Sequence, residues 1–243
     1  MMEGNIIYVG GDYIAGVSDT FGAKLHRHPL IEVYAACDGN GYVTAGARGL
    51  RGGLIVIGPD APHSIADAGK PGVALFLDPL TASGYSLWRR ALGGEAVRSL
   101  PVDRSLQERL RALPEAGPDK ALQGVCEGIL AALGGDPVER PFSASVLRAI
   151  DLMAEESCDF DMDALAGKVF LSKSRLAHVF SAETGITLKE YLQYKRLESA
   201  CRKMLSGMNI TEAAYDAGFS GSSHIASSSI KLTGLQLKKL LNL

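Results

Sequence analysis

The residues with the most obvious chemistry are three histidines and a glutamate in the first third of the chain. His26, His28 and Glu32 lie in Lys24–Glu32 as HxHxxxE, and His63 closes the run GLIVIGPDAPH that starts at Gly53. Three imidazoles and one carboxylate, with coordination positions left open, suit iron, manganese, nickel or zinc. If the first segment is a strand, alternation places His26 and His28 on the same side. Two other readings stay open. The four groups could hydrogen-bond a small ligand in a metal-free pocket, or simply satisfy one another in a core. No cofactor is required by the pattern, and the divalent metal remains the lesser alternative.

A second set of polar residues lies near the other end. Asp161 or Asp163 can cap a helix whose apolar positions are Met162, Leu165, Ala166 and Val169. Ser172 is an N-cap for a second helix, Lys173–Phe180. Its apolar stripe is Leu176, Val179 and Phe180, and its opposite face carries Ser174, Arg175, Ala177 and His178. Glu183-Thr184-Gly185 then stops the helix with a glycine, and a long helix runs from near Thr187 to about Leu205. Two short helices around a tight turn, the second with a polar face, describe a helix-turn-helix. Between Lys168 and Leu205 there are eight cationic and three acidic residues, a local excess in a chain whose net charge is -2.

The string SxSRLxxxF…ETGxxxxEYLxxxRLExA, from Ser172 to Ala200, resembles the DNA-binding domain of the AraC/XylS family of bacterial transcription regulators. That family joins two helix-turn-helix units by a long helix, and Ile210–Gly234 stands where the second unit should be. Ile210, Ala213, Ala214, Gly218, Phe219, Ser220, Ser223, His224 and Gly234 match. The resemblance implies that Lys173, Ser174, Arg175, Ala177 and His178 face double-stranded DNA in the first unit. Ser222, Ser223, His224 and Ser227 hold the matching places in the second. The second unit departs from the pattern at three positions: Ser227 stands for an arginine, Ser229 for a core phenylalanine and Leu237 for a proline.

Upstream, Asn5 to about Asp78 reads as short strands between glycine-rich turns, at Ile6–Val9, Tyr13–Val17, Ile31–Cys37, Tyr42–Ala45, Leu54–Ile57, His63–Ala66 and Val73–Leu77. Such spacing suggests a small antiparallel barrel or jelly roll. HxHxxxE and the proline–histidine motif together resemble the two motifs of a cupin barrel, which many AraC-type regulators carry as an effector-binding domain. That resemblance implies His26, His28, Glu32 and His63 as ligand-binding residues.

Helices are expected after Pro79: one within Leu80–Leu92, one capped by Asp103 with Leu106, Leu110 and Leu113 on one face, and one from Asp119 carrying Leu122, Val125 and Ile129. These stripes either pack on the barrel or form a two-fold dimer contact. The expected class is α+β in two domains: residues 1–135 as a cupin-like domain with appended helices, 136–143 as linker, and 144–243 as an all-α double helix-turn-helix domain. Cys37, Cys126, Cys158 and Cys201 form no CxxC pair, which disfavours a zinc ribbon or disulfide framework and suits a reducing cytoplasm. No signal peptide or membrane-spanning run is evident. The expected protein is a cytoplasmic, non-enzymatic regulator, a homodimer, with DNA, a small-molecule effector and RNA polymerase as partners. The competing class is a metal-dependent cupin oxygenase or isomerase with a vestigial helical tail.

Overall fold

The computed structural model describes residues 6–18, 22–66, 69–115, 118–134, 138–155, 161–233 and 237. The chain divides into two compact units, Met1–Val138 with Ser229–Leu243, and Glu139–Ser228.

Among the described residues the first unit is built on ten strands: β1 (Ile6–Val9), β2 (Tyr13–Ser18), β3 (Ala23–His26), β4 (Ile31–Ala36), β5 (Gly41–Ala45), β6 (Arg48–Gly52), β7 (Leu54–Ile57), β8 (His63–Ile65), β9 (Gly72–Leu77) and β10 (Val97–Leu100). They form two antiparallel sheets, in the orders β1-β2-β9-β4-β7-β10 and β3-β8-β5-β6. β4, β7 and β9 are buried along their whole length, so their sequences run apolar without alternation. The cause is cover on both faces. Val33, Ala35, Leu54, Val56, Val73 and Leu75 join one apolar cluster with Leu106, Leu110 and Leu113 of α2 (Arg104–Ala112) and its end, and with Leu122, Val125 and Ile129 of α3 (Pro118–Leu133). The alternate residues Glu32, Tyr34, Ile55, Ile57 and Phe76 point from the same strands to the other face, toward the second sheet.

The leucine stripes of α2 and α3 are therefore spent on the sheet, each residue 0–2% exposed, and are not free for a dimer contact. Asp103 caps α2 through a hydrogen bond from the Leu106 amide of 2.7 Å. Helix α1 (Ala82–Leu92) begins two residues later than its apolar pattern suggests, because Thr81 is the N-cap and accepts from Gly84. Its approach is close: a Cβ on Gly84 would sit 1.9 Å from the Asp78 carbonyl oxygen. Two strands carry no sequence signal. β6 is RGLRG, and β3 is AKLH with no buried residue and Leu25 73% exposed.

The second unit holds α4 (Ala144–Ala154), α5 (Met162–Lys168), α6 (Lys173–Thr184), α7 (Leu188–Leu205) and α8 (Ile210–Asp216); α9 (Ser222–Thr233) begins in it. The caps are the expected ones. Asp161 accepts from the amides of Asp163 and Ala164, and Ser172 from that of Arg175. Thr187 caps α7, its Oγ1 accepting from the Glu190 amide at 3.2 Å and donating to the Glu190 carboxylate at 2.7 Å. α6 runs past Phe180 to Thr184, where Gly185 closes it at φ 75°. Cys158, Gly234, and Asp136 and Pro137 of the expected linker lie outside the described residues. No helix among the described residues is long and apolar enough to cross a membrane.

Candidate functional sites

In the first unit the structure brings His26, His28, Glu32 and His63 together, with one ligating atom from each lying within 4.8 Å of the others. Sequence alternation is not the route. β3 stops at His26, and His28 sits beyond it in the loop before β4. The loop before β8 clamps that segment: the Asp60 amide donates to the His28 carbonyl at 2.8 Å, with Asp60 in the left-handed region at φ 57°. β8 brings His63 opposite His26, and β4 delivers Glu32 from the facing sheet. His28, Glu32 and His63 are buried, while His26 is half-buried.

Each Nδ1 lies against a backbone carbonyl: His26 on Lys24 at 2.8 Å, His28 on Leu30 at 3.2 Å and His63 on Ala61 at 2.8 Å. A carbonyl oxygen only accepts, so all three Nδ1 atoms carry hydrogen and every Nε2 is left to face the cluster. His28 Nε2 and His63 Nε2 stand 3.1 and 2.9 Å from the same oxygen of Glu32. His26 Nε2 is shielded from solvent and has no hydrogen-bond partner among the described residues. Burial alone would raise the Glu32 carboxyl, but hydrogen bonds and charge from His28 and His63 outweigh it and hold it at about 2. Burial lowers the proton affinity of His63, yet the Glu32 carboxylate more than offsets that and its pKa is raised. His26 is lowered, first by burial and then by the charge of His63.

This donor set fits a divalent metal. Bonds of about 2.1 Å at right angles separate neighbouring donors by about 3 Å, the spacing already present between Glu32 and its two histidines. Imidazoles whose far nitrogen is held by a carbonyl are the usual outer arrangement of such sites.

A second feature of this unit was missed by sequence reading. A cavity of about 510 Å³ is bounded by Gly11, Asp12, Tyr13, Leu77, Ala82, Ser83, Ser86, Leu87, Leu130 and Gly134. That volume is in the range of small-molecule pockets. Its lining is mostly apolar, a composition that looks like ordinary core in a sequence.

In the second unit α5 and α6 make the expected two-helix motif. Lys173, Ser174, Arg175 and His178 are exposed on α6 and Ala177 is half-buried, while Leu176 and Phe180 are fully buried beneath. Phe180 packs on Tyr191 of α7, with ring centroids 5.4 Å apart. Lys173 pairs with Asp163 at 2.9 Å, both side chains exposed. The turn between the helices passes through Phe170, which is 93% exposed at φ 58°.

α8 and α9 repeat the motif, with the turn at Gly218 at φ 79°. Ser223 and Ser227 are exposed, and Ser222 and His224 half-buried. Two of these four side chains are engaged within their own motif. His224 Nδ1 accepts from the Ser220 amide at 3.3 Å and its ring sits edge-on to Phe219. Ser227 Oγ donates back to the His224 carbonyl at 2.9 Å. The local positive charge is smaller than the residue count suggests. Lys195 is buried on α7 and bonded to Glu198 at 2.6 Å, Arg202 meets the other Glu198 oxygen at 2.7 Å, and Lys203 pairs with Asp216.

Comparison with known proteins bears on both units. The family model described as "Helix-turn-helix domain", of AraC type, matches residues 165–242. No curated protein matches the chain. Among solved structures, ToxT from Vibrio cholerae is similar at 11% identity, over 93% of this chain and 96% of that one, with a TM-score of 0.54. Wild-type ToxT bound to unsaturated fatty acid is similar at 10% identity, over 97% and 98% of the two chains, with a TM-score of 0.56. ToxT bound to (E)-4-(8-methylnaphthalen-1-yl)but-3-enoic acid gives 10% identity, 93% and 96% coverage and 0.54. At these identities the likeness establishes the fold: a sheet-rich N-terminal region followed by helices and a C-terminal helix-turn-helix region.

Proposed function

We infer that this chain, which carries an AraC-type helix-turn-helix domain over residues 165–242, is a sequence-specific DNA-binding transcription regulator whose N-terminal domain senses a small-molecule effector. The observation that carries the reading is α6. It is a capped helix, anchored by Leu176 and Phe180, whose exposed face presents Lys173, Ser174, Arg175 and His178 with Ala177 between them. Such a helix enters the major groove and sets side chains against base edges, while lysines, arginines and helix N-termini hold phosphates. In the second motif Ser222, Ser223, His224 and Ser227 would take the matching places with weaker means.

On this reading the effector has two places in the N-terminal domain. The polar one is the cluster of His26, His28, Glu32 and His63. The apolar one is the 510 Å³ cavity, and the acids bound by ToxT in its crystals make an apolar small molecule the natural occupant there. The working division keeps residues 1–135 for sensing, 136–143 as linker and 144–243 for DNA. The protein acts in the cytoplasm, not as an enzyme, and answers to RNA polymerase at the promoter. As a homodimer it would pair through faces other than the buried stripes of α2 and α3.

The test is selection of duplexes from a random pool by the purified chain, followed by binding titrations on the enriched sequence. The expected result is an enriched motif bound at least about a thousandfold more tightly than random duplex, with affinity that falls as salt rises. Failure to enrich any motif would remove the reading.

A further inference from the structure

We propose that the cavity bounded by β2, β9, α1 and α3 takes an amphiphilic amine. Its apolar body lies on Tyr13, Leu77, Leu87 and Leu130, its ammonium head meets Asp12 at the mouth, and Ser86 carries its presence to the start of the linker. The proposal rests on the reading of this cavity as an effector site and deepens it by naming the class of ligand.

Three observations carry it. First, the cavity is graded from apolar to polar. Tyr13 and Leu77, paired across β2 and β9, bound it together with Leu87 of α1 and Leu130 of α3. Tyr13, Leu77 and Leu87 are buried and Leu130 is half-buried, whereas Asp12, Ala82 and Ser83 are exposed. A space of about 510 Å³ with an apolar interior and a wet rim suits a molecule with an apolar body and one polar end.

Second, the charge at the rim has one sign. Asp12 is the one charged side chain among the described lining residues. Its carboxylate accepts from the Ser83 hydroxyl, its backbone carbonyl accepts from the Asp78 amide at 3.3 Å, and no cationic side chain pairs with it among the described residues. Tyr13 beside it feels the same field: its phenol is pushed above its ordinary pKa, first by burial and then by Cys126, Tyr8 and Glu127. A carboxylate head would lose water here and face Asp12 without a counter-ion. An ammonium head loses water too, but gains a charge-assisted hydrogen bond to a carboxylate already held in place. The expected ligand therefore carries the opposite charge to the acids bound by ToxT in its crystals.

Third, the wall of the cavity is joined to the linker. Ser86 is buried, donates to the Ala82 carbonyl at 2.8 Å and accepts from the Val138 amide at 2.8 Å. Val138 stands directly before Glu139, where the second unit opens. A ligand seated against Ser86 shields that hydrogen bond from water and so slows exchange of the Val138 amide.

The probes are three molecules with one naphthalene body: 2-(1-naphthyl)ethylamine, 2-(1-naphthyl)ethanol and 1-naphthylacetic acid. Each is titrated into the full chain by calorimetry. The amine should bind about tenfold more tightly than the acid, with the alcohol between them. Asp12→Asn should bring the amine-to-acid ratio down to about twofold or less. Asp12→Ser serves as a second variant if asparagine alters the melting profile. Ala82→Trp, at an exposed position on the rim, should block all three molecules. Hydrogen–deuterium exchange of peptides containing Val138 should slow when the wild type binds the amine, and should not respond in Ser86→Ala. An acid that binds as tightly as the amine would overturn the proposal. So would a ratio unchanged by loss of the Asp12 charge, amine binding unaffected by Ala82→Trp, or binding that leaves Val138 exchange as it was. DNA selection is run on the same preparations. A chain that binds the amine and protects Val138 but selects no DNA would refute the regulator reading and leave this inference standing. A chain that selects DNA but does not bind the amine would do the reverse.

Discussion

The two helix-turn-helix motifs have the same plan and different interiors. Both open with a capped helix, through Asp161 in the first and Asn209 in the second, each accepting two backbone amides. Both turn through a residue of positive φ. They part at the second helix. α6 drives Phe180 into the core against Tyr191, whereas the residue at the same place in α9 is Ser229, also fully buried. α6 starts from a serine cap and leaves Arg175 and His178 exposed. In α9 His224 is tied to Ser220, and the Ser227 hydroxyl donates to the helix backbone. The lesson is that two motifs can share their turns and caps, which are local, and still differ in the residue buried beneath the second helix and in the side chains it leaves free.

The largest expected effect tests the anchor. Phe180→Ala should destabilise the chain by about 3–5 kcal/mol, as buried aromatic truncations do. Ser229→Ala should change stability by about 1 kcal/mol or less, since a single buried hydroxyl is at stake. Urea unfolding of both variants measures the difference, and equal losses would erase the distinction between the two cores.

Next is DNA reading. Arg175→Ala and His178→Ala should each weaken binding to a selected duplex by about 1–3 kcal/mol. Ser222→Ala, Ser223→Ala and Ser227→Ala should each cost at or below about 1 kcal/mol. Equal losses would mean that the serine-rich helix contributes as much as the first.

The caps should behave alike, which sharpens the contrast from the other side. Asp161→Ala and Asn209→Ala should each cost about 1 kcal/mol of stability. A cap that mattered in only one motif would show that the motifs differ at their entrances as well as in their cores.

The smallest effect concerns the turns. Phe170 occupies the left-handed region that Gly218 occupies in the second motif. Phe170→Gly should stabilise the fold by up to about 1 kcal/mol, and Gly218→Ala should destabilise it by about as much. Thermal melts of the two variants should move in opposite directions.

How much of this was legible beforehand follows the range of the forces involved. Caps are set within three residues, so Asp103, Asp161 and Ser172 could be read directly from the sequence. The convergence of His26, His28, Glu32 and His63 was legible as composition and spacing, but not as geometry. His28 lies off the strand, and its place depends on Asp60, an amide contact across 32 residues of chain. Strands β3 and β6 left no signal, because their sequences AKLH and RGLRG bury nothing and owe their form to their neighbours. Lys195 belongs to the local positive excess read from the sequence, and only tertiary packing places it beside Glu198 in the interior. The cavity was illegible because its lining residues are the same types that fill a core.

The central claim is sequence-specific DNA binding led by the first motif. Its most direct test is hydroxyl-radical footprinting of the full chain on a duplex it has selected. The account predicts one strongly protected major groove, with the adjoining groove about 34 Å along the helix protected less, and loss of the strong footprint in Arg175→Ala. Equal protection of both grooves, or a wild-type footprint in Arg175→Ala, would contradict it.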